Sequence, residues 1–293
     1  MASPRFLSEF DPRYGECVQV ARGVQRVVAR NPSKFTAWGT GTYLVGDDQL
    51  AVVDPGPDDA AHIGALMAAI GERTVTHILV THTHADHSPA TAAIKDATGA
   101  PSYGFGPHPL DADQLAEEHG DLDFVPDVTV GDGEVIIGRG FTFECLHTPG
   151  HISNHLCFAE RSRGCLFSGD HVMGWSTTVI SPPAGDVADY LASLRRLSTR
   201  DERVYYPTHG PPIADPRRFV AELIDHRLHR EAQILERLAV APATVDELVA
   251  GMYAEVRAEL HEPAARSVTA HLLALERDRR VRPDADGRWD LIG

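Results

Sequence analysis

Lysine is nearly missing from this chain. Lys34 and Lys95 are the only two, and the rest of the 27 basic residues are arginine, set against 42 acidic ones for a formal charge of −15. An acidic surface of this size repels polyanions and disfavours a dedicated nucleic-acid binder, so RNA is a disfavoured partner. Long apolar runs are missing too. No stretch reaches the roughly 20 residues of a membrane-spanning helix, and the opening MASPRFLSEF lacks a basic segment followed by an apolar one. The expectation is therefore no membrane partner and a cytoplasmic location. Cysteine is scarce: Cys17, Cys145, Cys157 and Cys165 show no C-x-x-C spacing, which reads as separate buried thiols in a reducing compartment. What the chain does have is 16 histidines and an apolar fraction of 43% over 293 residues. That is enough for one large domain, or a medium domain with a small appendage.

The first third alternates short β-like runs with turns. Thr42–Val45 and Leu50–Val53 read as strands joined at Gly46-Asp47-Asp48. A helix follows over 58–70, then a strand over Val75–Val80, then a helix to about Ala97 with Ser88 as its cap and Pro89 at its first position. Residues 99–127 read as a long loop broken by four prolines, a candidate lid or an irregular insertion. Short strands return near 128–130, 134–137, 141–147, 155–160, 165–168 and 204–206, with a helix over Val187–Leu197. Helices at intervals, rather than after every strand, suit an α/β fold of two mixed sheets between helices better than a doubly wound sheet. Beyond Pro211-Pro212 the pattern turns helical, over 216–238, 245–256 and 264–277, and ends in a small hairpin at 281–291. Three helices and a hairpin outline a winged helix. The expected division is 1–226 for the catalytic part and 227–293 for the small domain.

Thr81-His82-Thr83-His84-Ala85-Asp86-His87 directly follows an apolar strand, where an α/β framework places its sites. His82 and His84 can converge on one ion if the loop curls, leaving Asp86 and His87 for a second position. Imidazole and carboxylate suit zinc, and also manganese or iron. Thr148-Pro149-Gly150-His151, Ser168-Gly169-Asp170 and Pro207-Thr208-His209-Gly210 add three more donors, each on a turn that ends a strand. A strand-ending polar turn is common by itself; the joint pattern is specific. His155 is balanced between facing the site and belonging to the sheet. His171 is expected to point away, His77 to be structural, and His226 and His229 to pack at the domain junction.

In order, H-x-H-x-D-H, T-P-G-H, S-G-D and a later H-G resemble the motif set of the metallo-β-lactamase superfamily. The resemblance implies an αββα sandwich with a dinuclear site between its sheets. His82, His84 and His151 would hold one metal, Asp86, His87 and His209 the other, and Asp170 would bridge them. Asn31-Pro32-Ser33-Lys34-Phe35-Thr36, the Gly41–Gly46 stretch and the segment from His226 to Leu235 look like the branch called beta-lactamase-like protein 2, whose members carry a C-terminal winged helix. One departure is visible: Gly41 stands where that branch has asparagine.

The mechanism that follows uses two divalent ions, zinc first, roughly 3.5–4 Å apart, and a shared hydroxide that attacks an acyl carbon or a phosphorus. Asp86 would be catalytic, orienting the hydroxide or carrying its proton. Charge favours a small-molecule ester, thioester or lactone as substrate. The alternative is an endoribonuclease for single-stranded RNA, since animal members of that branch act on it; a β-lactamase or a metal-sensing transcription regulator ranks lower. The segment from Arg227 on is near neutral, with acidic residues interleaved among Arg277, Arg279, Arg280, Arg282 and Arg288. Structural support, a contact in a homodimer or a pocket wall is its expected role, ahead of nucleic-acid contact.

Overall fold

The computed structural model describes residues 4–109, 119–253 and 261–292. Two sheets carry the larger domain. The first runs β1 (Val18–Ala21), β2 (Val24–Val28), β3 (Gly41–Gly46), β4 (Gln49–Val53), β5 (Thr74–Leu79), β6 (Ser102–Gly104) and β7 (Val128–Thr129), neighbours in that order. The second has the order β12 (Val204–Pro207), β11 (Cys165–Gly169), β10 (Leu156–Glu160), β9 (Phe141–His147) and β8 (Val135–Gly138). Hairpin-linked neighbours are antiparallel. β4–β5, β5–β6, β6–β7 and β11–β12 are parallel, and α1 (Ala60–Ile70), α2 (Thr91–Thr98) and α3 (Val187–Ser198) lie in the returns of β4–β5, β5–β6 and β11–β12.

Alternation along each strand explains the layering. Tyr43, Val45, Ala51 and Val53 of the first sheet meet Phe143, Cys145, Phe158, Phe167 and Tyr206 of the second between the sheets. Leu44, Leu50 and Val52 point the other way, onto Leu66 and Ile70 of α1 and Ile94 of α2. On the far side Leu146, Cys157, Ala159 and Leu166 receive Tyr190, Leu191 and Leu194 of α3 and Phe219, Val220 and Leu223 of α4 (Pro216–Leu238). The result is helix, sheet, sheet, helix, as expected.

The small domain packs Ile234 and Leu238 of α4 against α5 (Val245–Met252), α6 (His261–Arg277) and the hairpin β13 (Val281–Pro283) and β14 (Trp289–Leu291). Thr244 and Glu247 close a capping box at the start of α5. The division expected at residues 226 and 227 falls inside α4, which runs unbroken through both cores.

Several local expectations need correction. Ser88 does not cap α2: the helix starts at Thr91, its N-cap residue Ala90 makes no side-chain cap, and the Ser88 hydroxyl donates instead to Asp121 Oδ2 at 2.6 Å. Tertiary demand for that hydroxyl outweighs the local cap. The stretch 99–127 is not all loop. It contains β6 and the buried Phe124, while 110–118 lie outside the described residues. The strands β1 and β2 were not expected, and the helix expected over 245–256 ends at Met252 with Tyr253 as its C-cap, 254–256 lying outside the described residues.

Candidate metal centre

Every strand that feeds the site does so from its C-terminal end. Asp54 follows β4, the His82–His87 loop follows β5, His151 follows β9, Asp170 follows β11 and His209 follows β12. The sheets are stitched together at this edge. Leu156 N–H donates to Thr81 O at 2.7 Å, Gly41 N–H to Thr208 O at 2.8 Å and Thr208 N–H to Gly169 O at 3.2 Å. The first two bonds join the two sheets and the third joins the ends of β11 and β12, so loops from both sheets come within reach of one point.

All seven expected residues converge there. His82, His84 and His151 form one group, His82, His87 and Asp170 a second, and Asp86, His87 and His209 a third, with ligand atoms within 4.8 Å of one another in each. His84 Nδ1 lies 2.9 Å from His82 Nε2 and 3.0 Å from His151 Nε2. His87 Nε2 is 3.6 Å from Asp86 Oδ2 and 3.5 Å from Asp170 Oδ1. His209 Nε2 is 3.2 Å from Asp86 Oδ2 and 3.3 Å from Asp170 Oδ2. Asp170 thus reaches both His87 and His209. Six of the seven are buried; the Asp86 side chain keeps 25% exposure and faces the opening.

Charge divides the cluster. Burial, reinforced by neighbouring imidazoles, pushes His82 and His84 well below the usual histidine range. Burial also lowers His151. These three are neutral and offer lone pairs. Burial works against protonation of His209 as well, but the charge of Asp170 and bonds to Asp170 and Asp86 outweigh it and lift the group to about 10. His87 is raised for the same reason, by Asp86, Asp170 and Asp54 against its burial. Burial would raise Asp170, yet His209 and His87 hold it well below the carboxylate range. The metal-free site therefore keeps protons where cations fit. His87 Nε2 and Asp170 Oδ1 are buried with no hydrogen-bond partner, as expected of atoms that hold an ion.

The outer ring of contacts was less visible beforehand. Asp54, which the sequence shows only as the end of a strand, is buried at φ 49° and accepts four bonds. Thr81 N–H reaches its Oδ1 at 2.8 Å; the hydroxyls of Thr81 and Thr208 reach Oδ2 at 2.9 and 2.7 Å, and His87 Nδ1 lies 3.0 Å from Oδ2. Thr40 Oγ1 donates to Asp86 Oδ2 at 2.9 Å, His209 Nδ1 faces Gly39 O at 3.2 Å, and His151 Nδ1 faces Val179 O at 2.7 Å. These contacts fix ring orientation and leave the other nitrogen toward the centre. His155 lies behind the site. Its Nε2 accepts from Asp170 N–H at 3.2 Å and its Nδ1 sits 2.9 Å from Thr148 Oγ1. His171 packs on Tyr190 with ring centroids 4.7 Å apart, and His77 stacks on Tyr103, both apart from the cluster. At Gly41, a Cβ would meet Arg26 Cδ and Thr208 O at 3.2 Å, so Arg26 fills the space beside this turn.

Residues 36–209 match the family model described as metallo-beta-lactamase superfamily. The chain belongs to that superfamily. Residues 244–289 match a second model, the beta-lactamase associated winged helix domain. Among curated relatives, the atrochrysone carboxyl ACP thioesterase of Aspergillus chevalieri is 30% identical over 96% of this chain and 91% of its own. A lactamase-like protein of Aspergillus niger is 28% identical over 96% and 90%. Among solved structures, a beta-lactamase domain protein from Burkholderia ambifaria superposes with a TM-score of 0.81 at 23% identity, covering 97% of this chain and 96% of that one, which shows the shared fold. The protein TTHA1623, solved in a di-iron-bound form, has a TM-score of 0.51 at 28% identity over 64% of this chain and 93% of its own. The superfamily is one of hydrolases, and the His and Asp groups of this member suit divalent metal.

Proposed function

We propose that this chain is a dinuclear metal hydrolase acting on an acyl thioester. The observation that carries the reading is the convergence of seven donor residues, with His87 Nε2 and Asp170 Oδ1 buried 3.5 Å apart and without a hydrogen-bond partner. His82, His84 and His151 would hold one ion, Asp86, His87 and His209 the other, and Asp170 would reach both. When bound, such ions supply Lewis acidity and bring the pKa of water near neutrality, and zinc, iron and manganese all suit this donor set. TTHA1623 in its di-iron-bound form supports the two-ion reading.

The residues themselves do the rest. His151 and His209 are locked by Val179 O and Gly39 O, which keeps the site from collapsing around a smaller ligand. Thr40 holds Asp86 Oδ2, leaving Oδ1 to take the proton of the attacking water at the open side of the cluster. Half-exposed Trp38 and Trp175 stand beside Gly210, with Phe10 edge-on to Trp38, an apolar flank for an acyl group next to His209. A thiolate leaves near neutral pH with less need of a proton donor than an alkoxide. The relatives named as ACP thioesterases support that substrate class, and the charge of −15 speaks against a phosphodiester polyanion.

Metal content and hydrolysis of acyl thioester, lactone and single-stranded RNA substrates test the proposal, repeated on Asp86→Ala and His151→Ala. Two ions per chain, with thioester hydrolysis lost in both folded variants, is the expected result. Cleavage of RNA alone would transfer the chemistry to phosphodiesters. A wild-type chain that stays inactive and metal-free when metal is supplied would end the hydrolase reading.

A further inference from the structure

Arg227 has no evident reason to be where it is. It lies on α4, only 4% exposed, and pairs with no carboxylate among the described residues. A buried guanidinium is costly unless its donors are used, and two of them are. Nη2–H donates to Thr178 O at 2.5 Å and Nη1–H to Ser267 Oγ of α6 at 3.3 Å, while the guanidinium carbon lies 5.3 Å from the Tyr190 ring centroid.

Thr178 and Val179 are the backbone on which two donors of the metal centre rest. The Thr178 hydroxyl donates to Asp170 O at 2.7 Å and to His171 O at 2.9 Å. The next carbonyl, Val179 O, holds His151 Nδ1 at 2.7 Å. The Thr178 hydroxyl therefore meets the Asp170 turn, the Val179 carbonyl meets His151, and the Thr178 carbonyl between them meets Arg227. Ala270 of α6 packs in the same core as Tyr190 and Leu194 of α3, so the small domain is seated firmly against this region.

We propose that Arg227 is a positioning residue for the metal centre, carrying the seating of the winged-helix domain into the orientation of His151 and Asp170 through the Thr178–Val179 backbone. The residue touches no reacting atom. Its effect is to satisfy Thr178 O from the small-domain side, so that the segment has one resting position. The winged helix then serves as a brace for the catalytic domain. The inference rests on the metal-centre reading above.

The test compares wild type with Arg227→Met, Arg227→Lys and Thr178→Val, the last removing the hydroxyl bonds to Asp170 O and His171 O. Dissociation constants for Zn(II) and Co(II) by chelator competition, the visible spectrum of the Co(II)-loaded chain, the melting temperature without metal, and kcat and KM on a thioester are measured for each. Support is metal affinity about 10- to 100-fold weaker in Arg227→Met, a changed Co(II) spectrum, a lower kcat at similar KM, and partial recovery in Arg227→Lys, which keeps a charged donor nitrogen but not the guanidinium fork. A change confined to melting temperature, with wild-type affinity and spectrum, overturns the proposal. If Arg227→Met does not fold, Arg227→Lys decides: weaker metal binding with a changed Co(II) spectrum supports the inference, and wild-type binding overturns it. A wild type that binds no metal would instead sink the metal-centre reading itself.

Discussion

Asp54 shows how much of the site depends on one side chain outside the histidine motif. Its Oδ2 accepts from two hydroxyls and faces His87, and its Oδ1 accepts a backbone N–H, so loops from both sheets share one carboxylate. Asp54→Asn keeps the volume but puts an NH2 where an acceptor is needed. We expect metal affinity to fall about 10- to 100-fold, read by chelator competition; unchanged affinity would refute this role for Asp54. Protonation offers a second check at this scale. His209 is lifted to about 10 and His87 is raised too, so the metal-free chain carries protons there that an ion must displace. His82, His84 and His151 are lowered and have none to lose. Affinity at the Asp86, His87 and His209 position should therefore rise with pH, about tenfold per unit for each proton released, with the His209 proton given up near pH 10. The His82, His84 and His151 position should change little over the same range. Titrations at several pH values, with two resolved affinities, would show whether one ion is lost first on acidification.

At the scale of elements, the turns after the strands do the positioning, and two of them depend on glycine. Gly169 sits at φ 51°, where a Cβ would come within 2.6 Å of His155 Nε2 and 2.9 Å of Thr81 Oγ1. Gly150, before His151, sits at φ 140°, and a Cβ there would lie 2.4 Å from Tyr190 Cα on α3. Helix and turn meet backbone to backbone, so α3 cannot yield as a flexible side chain would. Gly150→Ala should cost about 3 kcal/mol from backbone strain and overpacking together, and should displace His151. Thermal unfolding with metal titration checks both effects. A variant as stable and as tightly metal-binding as wild type would show that this turn tolerates movement.

Over the whole molecule, α4 is the element that joins the parts. Phe219, Val220 and Leu223 belong to the sandwich core, and Ile234 and Leu238 belong to the winged-helix core, on one continuous helix. Unfolding either core removes a wall from the other. Calorimetry of the metal-free chain should therefore show one cooperative transition, and two well-separated ones would contradict this coupling. The same view bears on the basic residues near the wing. Arg277 pairs with Asp186, Arg280 with Glu231 and Arg288 with Glu247, so three of the five arginines noted there already hold carboxylates.

The motifs were legible in the sequence because metal chemistry restricts residue type: only a few side chains hold a divalent ion, and each had to follow an apolar strand. The same restriction of period, two for strands and near 3.6 for helices, made the sandwich and the long helix over 216–238 readable, the latter with the bounds the structure has. What the chain alone did not reveal are contacts between residues far apart in sequence. Asp54 meets Thr208 across 154 positions, Arg227 meets Thr178 across 49, and Ser88 gives up a local cap for Asp121. Aspartate after a strand or arginine on a helix is common, and nothing local marks these as exceptional. Their roles arise when folding buries a polar group and limits it to the partners that packing brings within reach, and only the tertiary structure decides which those are.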